Sequence, residues 1–414
     1  MATIVIIGGG FGGLACAQAL GAGLRGTAHR VILVDRRNYH LFQPLLYQVA
    51  TAALSPADIA VPLRHILARY RNVEVMWGEV TGIDVARREV RLDDRPPLTW
   101  DRLALATGGH YSWFGHDDWA VHAPGLKTMA DARTIRARLL AAFERAEMET
   151  DPVRQRQLMT CAIVGGGPTG VEMAGAVAEL ARWTLRHDFR RADPRQTRIV
   201  LIEAGPRVLA GFPESLSRYA ETALAKLGVE VRTGARVTAI SANHVDIGDE
   251  HIPAGTILWA AGMTASAAGR WLGVETDKAG RIPVAPDLSV PDRPGVYAIG
   301  DTALCRGADG KPLPGLAQVA QQQGTHLGRA LTRNLVDGTP MPPFRFRNRG
   351  DTAVIGRHAA VFDFGWARLT GRIAWLLWGL VHIVLLVGFE NRVIVGAQWL
   401  WNYFTRERGA RLIE

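Results

Sequence analysis

Cysteine is scarce in this 414-residue chain: Cys16, Cys161 and Cys305 stand far apart and none forms a Cys-x-x-Cys pair. That spacing excludes a disulfide framework, leaves no zinc pattern and so no expected metal site, and favours small, buried, reduced thiols over redox ones. Acidic residues are outnumbered, with 39 Asp+Glu against 48 Lys+Arg, and most of the cations are arginine. Such a balance favours an anionic partner: a phosphate-bearing cofactor, nucleic acid or a lipid surface. Interleaved aromatic and basic runs and helix-turn-helix spacing are missing, which argues against nucleic acid. A charged leader followed by an apolar segment is missing too, since Met1 runs straight into "TIVIIGGG". No signal peptide is therefore expected, and the protein should begin inside the cytoplasm. With 48% hydrophobic and 21% charged residues the chain is nonetheless globular, long enough for two or three domains.

What is present is an internal repeat. "IVIIGGGFGGLACAQAL" near the start and "CAIVGGGPTGVEMAGAVAEL" from Cys161 share one pattern: an apolar run, a glycine cluster, then a small-residue helix. One such turn is a weak signal, but two, each after a strand and each opening a helix, are a strong one. Gly8, Gly10 and Gly13 are followed by "RVILV" and Asp35; Gly165, Gly167 and Gly170 are followed, after an Arg-rich insert, by "RIVLIE" ending at Glu203. Glycines let the backbone approach a pyrophosphate, the helix start offers free N–H groups, and the terminal acid accepts from ribose hydroxyls. An acid at Glu203 repels a 2′-phosphate and so favours NADH over NADPH, while Arg207 leaves some NADPH tolerance open.

"RLALATGG" and "TILWAAGMT" read as strands ending in small-residue turns, and "GVYAIGDTA" as a strand whose Asp301 caps the following helix or meets a ligand. The fold class is therefore α/β: two nested Rossmann-like dinucleotide-binding domains, the second inserted into the first, plus a C-terminal membrane-associating region. The expected segments are 1–115 and 286–335 for the first domain, 116–285 for the second, and 336–414 for the tail, beginning at Pro-rich "DGTPMPPF".

In the tail, "AWLLWGLVHIVLLVGF" spans sixteen residues, at or below the about 17–25 needed to cross a bilayer. Tryptophans 366, 375, 378, 399 and 401, set among arginines, read as interfacial anchors beside anionic head groups. A helix lying in the membrane surface is expected; a buried helix pair used for homodimerisation and a true span are the alternatives.

Together these marks, with "FQPLLYQVATAALSPADIA", "ALATGGHYSWFGHDDW" and "AQVAQQQG", resemble the two-dinucleotide-binding-domain flavoproteins and, within them, the type II NADH:quinone oxidoreductases. The resemblance implies FAD in the first unit, NADH in the second, and electron transfer to a membrane quinone, menaquinone or ubiquinone, without proton pumping. It also implies a peripheral enzyme on the cytoplasmic face of the plasma membrane. FAD contacts are implied at Gly8, Gly10, Phe11, Gly12, Gly13, Asp35, Arg36, Gln43, Val80, Thr107, Gly108, Asp301, Ala317 and Gln318. NADH contacts are implied at Gly165, Gly167, Pro168, Thr169, Gly170, Glu172, Glu203, Ala261 and Gly262.

Glu172 is expected in the first turn of its helix, where the dipole favours its charge. Its place in the family motif implies a position beside the nicotinamide and flavin rings, orienting the one or relaying a proton. The same resemblance places Gln318 and Gln322, four apart on one helix face, at a quinone pocket with Gln48 nearby. Amides donate to a quinone carbonyl without burying a charge; helix capping is the plainer alternative for them.

Three other readings compete. A sulfide:quinone oxidoreductase needs cysteines facing the flavin, a ferredoxin-type reductase gives the Trp-rich tail no purpose, and a non-catalytic NADH-sensing flavoprotein would bind NADH without turnover.

Overall fold

The computed structural model describes residues 1–413; Glu414, the last residue of the expected tail, lies outside the described residues. Contacts divide the chain into two compact units. Met1–Leu41, Ala60–His110 and Met263–Asn348 form the first; Phe42–Ile59, Tyr111–Gly262 and the chain from Arg349 onward form the second.

A five-stranded parallel sheet organises the first unit, in the order Val296–Ala298, Arg102–Leu105, Thr3–Ile7, Arg30–Asp35, Val73–Trp77. Its central strands are runs of branched residues because both faces are covered. Side chains alternate across a strand, so Ile4, Ile6 and Leu33 pack with Leu14, Leu20 and Leu327 on one face. On the other, Val5, Ile7 and Val34 pack with Val90 and Trp100. The helices Phe11–Gly23 and Ala317–Asp337 lie against one another at glycine. A Cβ at Gly324 would stand 2.0 Å from the Gly12 carbonyl oxygen, and one at Gly328 2.8 Å from that of Cys16.

The second unit repeats the arrangement with four parallel strands, Val229–Arg232, Arg198–Ile202, Thr160–Val164 and Thr256–Trp259. Every residue of Thr160–Val164 is buried. An antiparallel sheet, Asp351–Gly356, Ala359–Asp363 and Arg368–Thr370, packs on the helix Pro168–Glu179. There a Cβ at Gly175 would fall 1.6 Å from the Ile355 carbonyl oxygen. The chain ends in two helices, Gly371–Leu385 and Phe389–Thr405, separated by Gly388 at φ +89°.

These units differ from the expected segments in five places, two of them short shifts of boundary: residues 111–115 stand with the second unit and residues 336–348 with the first. Residues 263–285 pack with the first unit, where Ile282–Pro283 pairs with Ala303–Leu304. The tail from Arg349 joins the second through the sheet just described. Phe42–Ile59 joins it as well, because its short helix Leu46–Ala50 packs on the helices Met129–Met148 and Pro168–Glu179.

Candidate functional site

The two glycine turns are built to the same plan. In each, the first glycine takes a positive φ, +103° at Gly8 and +113° at Gly165, with its N–H on a neighbouring strand carbonyl, Val34 at 2.8 Å and Ile202 at 2.7 Å. The last glycine seals the helix onto the turn: a Cβ would stand 1.7 Å from the Gly8 carbonyl oxygen at Gly13, and 1.8 Å from that of Gly165 at Gly170. At the middle positions, Gly10 and Gly167, a Cβ would meet no protein atom within 4 Å, and no side chain caps either helix. A helix start capped by a glycine, beside open space at a side-chain-free residue, fits a pyrophosphate.

Asp35 and Glu203 do the same work at the two strand ends. Asp35 accepts from the Gly9 N–H at 2.5 Å and the Arg37 N–H at 2.7 Å. Glu203 accepts from the N–H groups of Gly166 and Gly205, both at 2.6 Å. Each carboxylate therefore holds the turn, and its second lone pairs remain for ribose hydroxyls. The Arg207 guanidinium is tied into its own loop, donating to Phe212 O (2.7 Å), Ala210 O (2.8 Å) and Ser217 Oγ (2.6 Å). Those bonds oppose the NADPH tolerance that this arginine left open. Phe11 opens the first helix and packs edge-on against His40. Arg36 is exposed, and Val80 begins a strand and is buried.

Thr107 and Gly108 of the Ala-Thr-Gly turn meet Thr302, beside Asp301. Thr107 Oγ1 lies 3.1 Å from Thr302 Oγ1 and 2.6 Å from Ser266 Oγ, and the Gly108 N–H donates to Thr302 Oγ1 at 2.9 Å. Asp301 sits in the turn Gly300–Thr302, and the next long helix, Ala317–Asp337, begins after Leu316. Gln323, which the sequence reading passed over, is buried and accepts from the Gly300 N–H at 2.7 Å, pinning the Gly-Asp turn to this helix.

Its neighbours Gln318 and Gln322 reach the strap that leaves the first unit. Gln318 Nε2 donates to Asn348 Oδ1 at 3.2 Å. Gln322 exchanges two bonds with the Arg347 backbone, donating at 2.9 Å and accepting at 3.1 Å, so its amide acts first as a clamp.

In the second unit, Pro168 is the first residue of its helix, which puts Glu172 in the second turn rather than the first, past the reach of the dipole. Burial pushes its carboxyl up to about 8, against a weaker opposing bond from the Val354 N–H. Burial, then the charge of Glu172, also raises the Tyr47 phenol well above its usual value. Gln48 is buried beside it, donating to Tyr47 Oη at 3.0 Å and accepting from Trp399 Nε1 at 2.8 Å. Gln43 opens the short helical turn ahead of them. Past the strand Thr256–Trp259 come Ala261 and Gly262, the latter at φ +68°, where a Cβ would meet Ser112 O at 2.8 Å.

A family model for pyridine nucleotide-disulphide oxidoreductases matches residues 2–324. The type II NADH:quinone oxidoreductase Ndh of Mycobacterium tuberculosis is 40% identical over 420 residues, 98% of this chain and 89% of the relative. The chain belongs to the type II NADH:quinone oxidoreductases. A demethylphylloquinone reductase of Synechocystis is 32% identical over 96% of this chain and 95% of its own. In fold, the chain matches NDH2 of Plasmodium falciparum, solved with NADH, at a TM-score of 0.89 and 19% identity, covering 100% of this chain and 99% of that one.

This type II NADH:quinone oxidoreductase has no thiol chemistry on offer: Cys16, Cys161 and Cys305 are free and buried, and burial pushes the first two up to about 12. Among the described residues no helix is long and apolar enough to cross a membrane. Of the five tail tryptophans, Trp375, Trp378 and Trp399 pack against other rings. Trp378 is buried and stacks on Trp399, which holds Gln48, and Trp375 stacks on His358. Only Trp366 and Trp401, 86% and 62% exposed, face outward. Aromatic stacking inside the helix pair has taken the others, for the same apolar surface that suits an interface also suits a core.

Proposed function

We propose that the protein oxidises NADH and reduces a membrane quinone by two electrons without pumping protons, with FAD held by the first unit and NADH by the second. The observation that carries this reading is the duplicated, acid-terminated glycine turn. FAD, when bound, supplies the hydride and electron chemistry.

The chain's own residues bind and orient. N–H groups of Gly10, Gly12 and Gly13 and of Gly167, Thr169 and Gly170 hold the two pyrophosphates, and Asp35 and Glu203 the adenosine riboses. Arg36, Val80, Thr107, Gly108, Asp301 and Ala317 complete the FAD set within the first unit, and Pro168, Thr169, Ala261 and Gly262 the NADH set within the second. With its pKa near 8, Glu172 keeps its proton at neutral pH and can release it, as a nicotinamide-orienting donor or a proton relay must. Gln48 of the second unit is the amide assigned to the quinone, menaquinone or ubiquinone, while Gln318 and Gln322 of the first hold Asn348 and Arg347.

Gln48 depends on Trp399 for its orientation. Trp399→Phe removes one hydrogen bond worth about 1 kcal/mol, so quinone KM is expected to rise about fivefold while NADH KM stays put; steady-state kinetics with a short-chain quinone check this.

Membrane contact is assigned to the exposed apolar face of the last two helices, Ile373, Leu376, Leu380 and Val384, then Phe389, Leu400 and Phe404. Arg372, Arg392 and Arg406 are exposed on the same two helices or just past their end and suit anionic head groups. The enzyme then sits peripherally on the cytoplasmic face. Replacing Leu376 and Leu380 together by Asp is expected to cut co-sedimentation with anionic vesicles at least tenfold, since each buried leucine contributes about 1.5–3 kcal/mol. A homodimer through this face instead would show as a change of oligomeric state in the same variant.

The deciding experiment is a steady-state assay of NADH and NADPH against menaquinone and ubiquinone analogues, with the flavin spectrum recorded. A purified protein without flavin, or a flavin that NADH does not bleach, overturns the reading.

A further inference from the structure

The second unit carries a side-chain cluster well away in sequence from the glycine turns and the glutamines. Strands His244–Ile247 and Glu250–Pro253 pair antiparallel, with Asp246 opposite His251 and Val245 opposite Ile252. Val245 and Ile252 are buried in the core beneath Trp259. Because side chains alternate along a strand and cross-strand partners share a face, His244, Asp246 and His251 stand together on the outer face.

Their geometry is convergent. Asp246 Oδ1 lies 2.8 Å from His251 Nδ1, and its Oδ2 3.7 Å from His244 Nε2. The two imidazole centroids are 4.1 Å apart, and one ligand atom from each of the three residues falls within 4.8 Å of the others. The other nitrogen of His244, Nδ1, lies 2.6 Å from Ser241 Oγ and 3.2 Å from Asn243 Oδ1. An outer partner that fixes the ring and aims the free nitrogen inward is what a metal-ligating histidine requires. His251 is 57% exposed on its side chain, which leaves an entry path.

We propose that His244 Nε2, Asp246 and His251 Nδ1 bind one divalent transition-metal ion of the zinc class. Two imidazoles and one carboxylate suit zinc, nickel or copper and not magnesium or calcium. Zinc takes nitrogen at about 2.0–2.1 Å in a tetrahedron, so small side-chain rotations bring the three ligand atoms onto one centre, with water completing the set. The ion joins two strands across a two-residue turn, Gly248 at φ +57° and Asp249, and so staples the hairpin that covers one flank of the second unit's core. The expectation of no metal site rested on cysteine spacing and on runs along the chain, which miss a set assembled across a hairpin.

The test uses the full-length, flavin-loaded protein, purified without a histidine tag and stripped with a chelator, then titrated with Co²⁺ and Zn²⁺. One equivalent of Co²⁺ is expected to give a visible ligand-field band that Zn²⁺ displaces and Mg²⁺ does not. His244→Ala and His251→Ala should each abolish the band, and Ser241→Ala should weaken binding about tenfold by loosening the ring. All three variants should keep bound FAD and wild-type NADH:quinone turnover, which shows that they fold. Absence of the band in the wild type, or an equal band in His244→Ala and His251→Ala, overturns the proposal.

Discussion

Gly13→Ala is expected to yield protein without FAD, and Gly170→Ala a flavoprotein that NADH bleaches only at raised concentration. The added methyl would lie 1.7 Å from the Gly8 carbonyl oxygen in the first case and 1.8 Å from that of Gly165 in the second. Both are backbone atoms, so no side chain can swing aside; the helix must lift away from its own turn. Overpacking of this kind costs about 1–3 kcal/mol or more, and it falls on the N–H groups that face the pyrophosphate. The flavin absorbance per protein and the rate of NADH bleaching separate the two outcomes. In Gly170→Ala, NADH affinity should fall at least tenfold, the equivalent of about 1.4 kcal/mol, with FAD content unchanged. Wild-type NADH affinity in that variant would remove the second turn from the NADH site.

Glu172→Gln carries the other large effect. If the carboxyl relays a proton, its loss costs about a hundredfold in turnover, the lower end for general acid–base groups. The wild-type pH profile should bend near 8, where the carboxyl titrates, and the variant profile should not. Stability supplies a readout independent of turnover. The folded carboxyl holds its proton up to about 8, whereas in the unfolded chain it is lost near the ordinary value of about 4.3. Between those values the native state binds more protons than the unfolded one, so this group's contribution is full below the lower pKa and is lost as pH rises through the window. The slope is at most about 1.4 kcal/mol per pH unit. The melting temperature of the wild type should accordingly fall more between pH 5 and pH 8 than that of Glu172→Gln.

How much of this was legible in the sequence follows from how local each feature is. The glycine turns could be read because every element of them, strand, turn, helix start and terminal acid, lies within one short stretch. Even the misplacement of Glu172 had a local remedy, since Pro168 marks the first helical residue. Gln323 could not be told from Gln318 and Gln322, because its partner, the Gly300 N–H, lies 23 residues away and helix phase alone does not name it. Trp399 meets Gln48 across 351 residues. Composition marked that tail as aromatic and cationic, yet those residues serve a stacked interior as well as a lipid surface. The same distance hides Arg408, a buried guanidinium that donates to the Thr51 and Ala176 carbonyls and pairs with Glu179.

The order of strands in the first unit dictates an order in time. Its sheet is closed by Val296–Ala298, and the face of Phe11–Gly23 is covered only by Ala317–Asp337, so the earliest residues made wait longest for their partners. The second unit's parallel sheet is complete once Trp259 has been made. As the chain leaves the ribosome, the later-starting unit therefore closes its sheet first, while an open strand edge and a glycine-lined helix face stand exposed upstream. Flavin loading becomes a late event in synthesis, and a chain cut short near residue 290 keeps a finished sheet in the second unit and an unfinished one in the first.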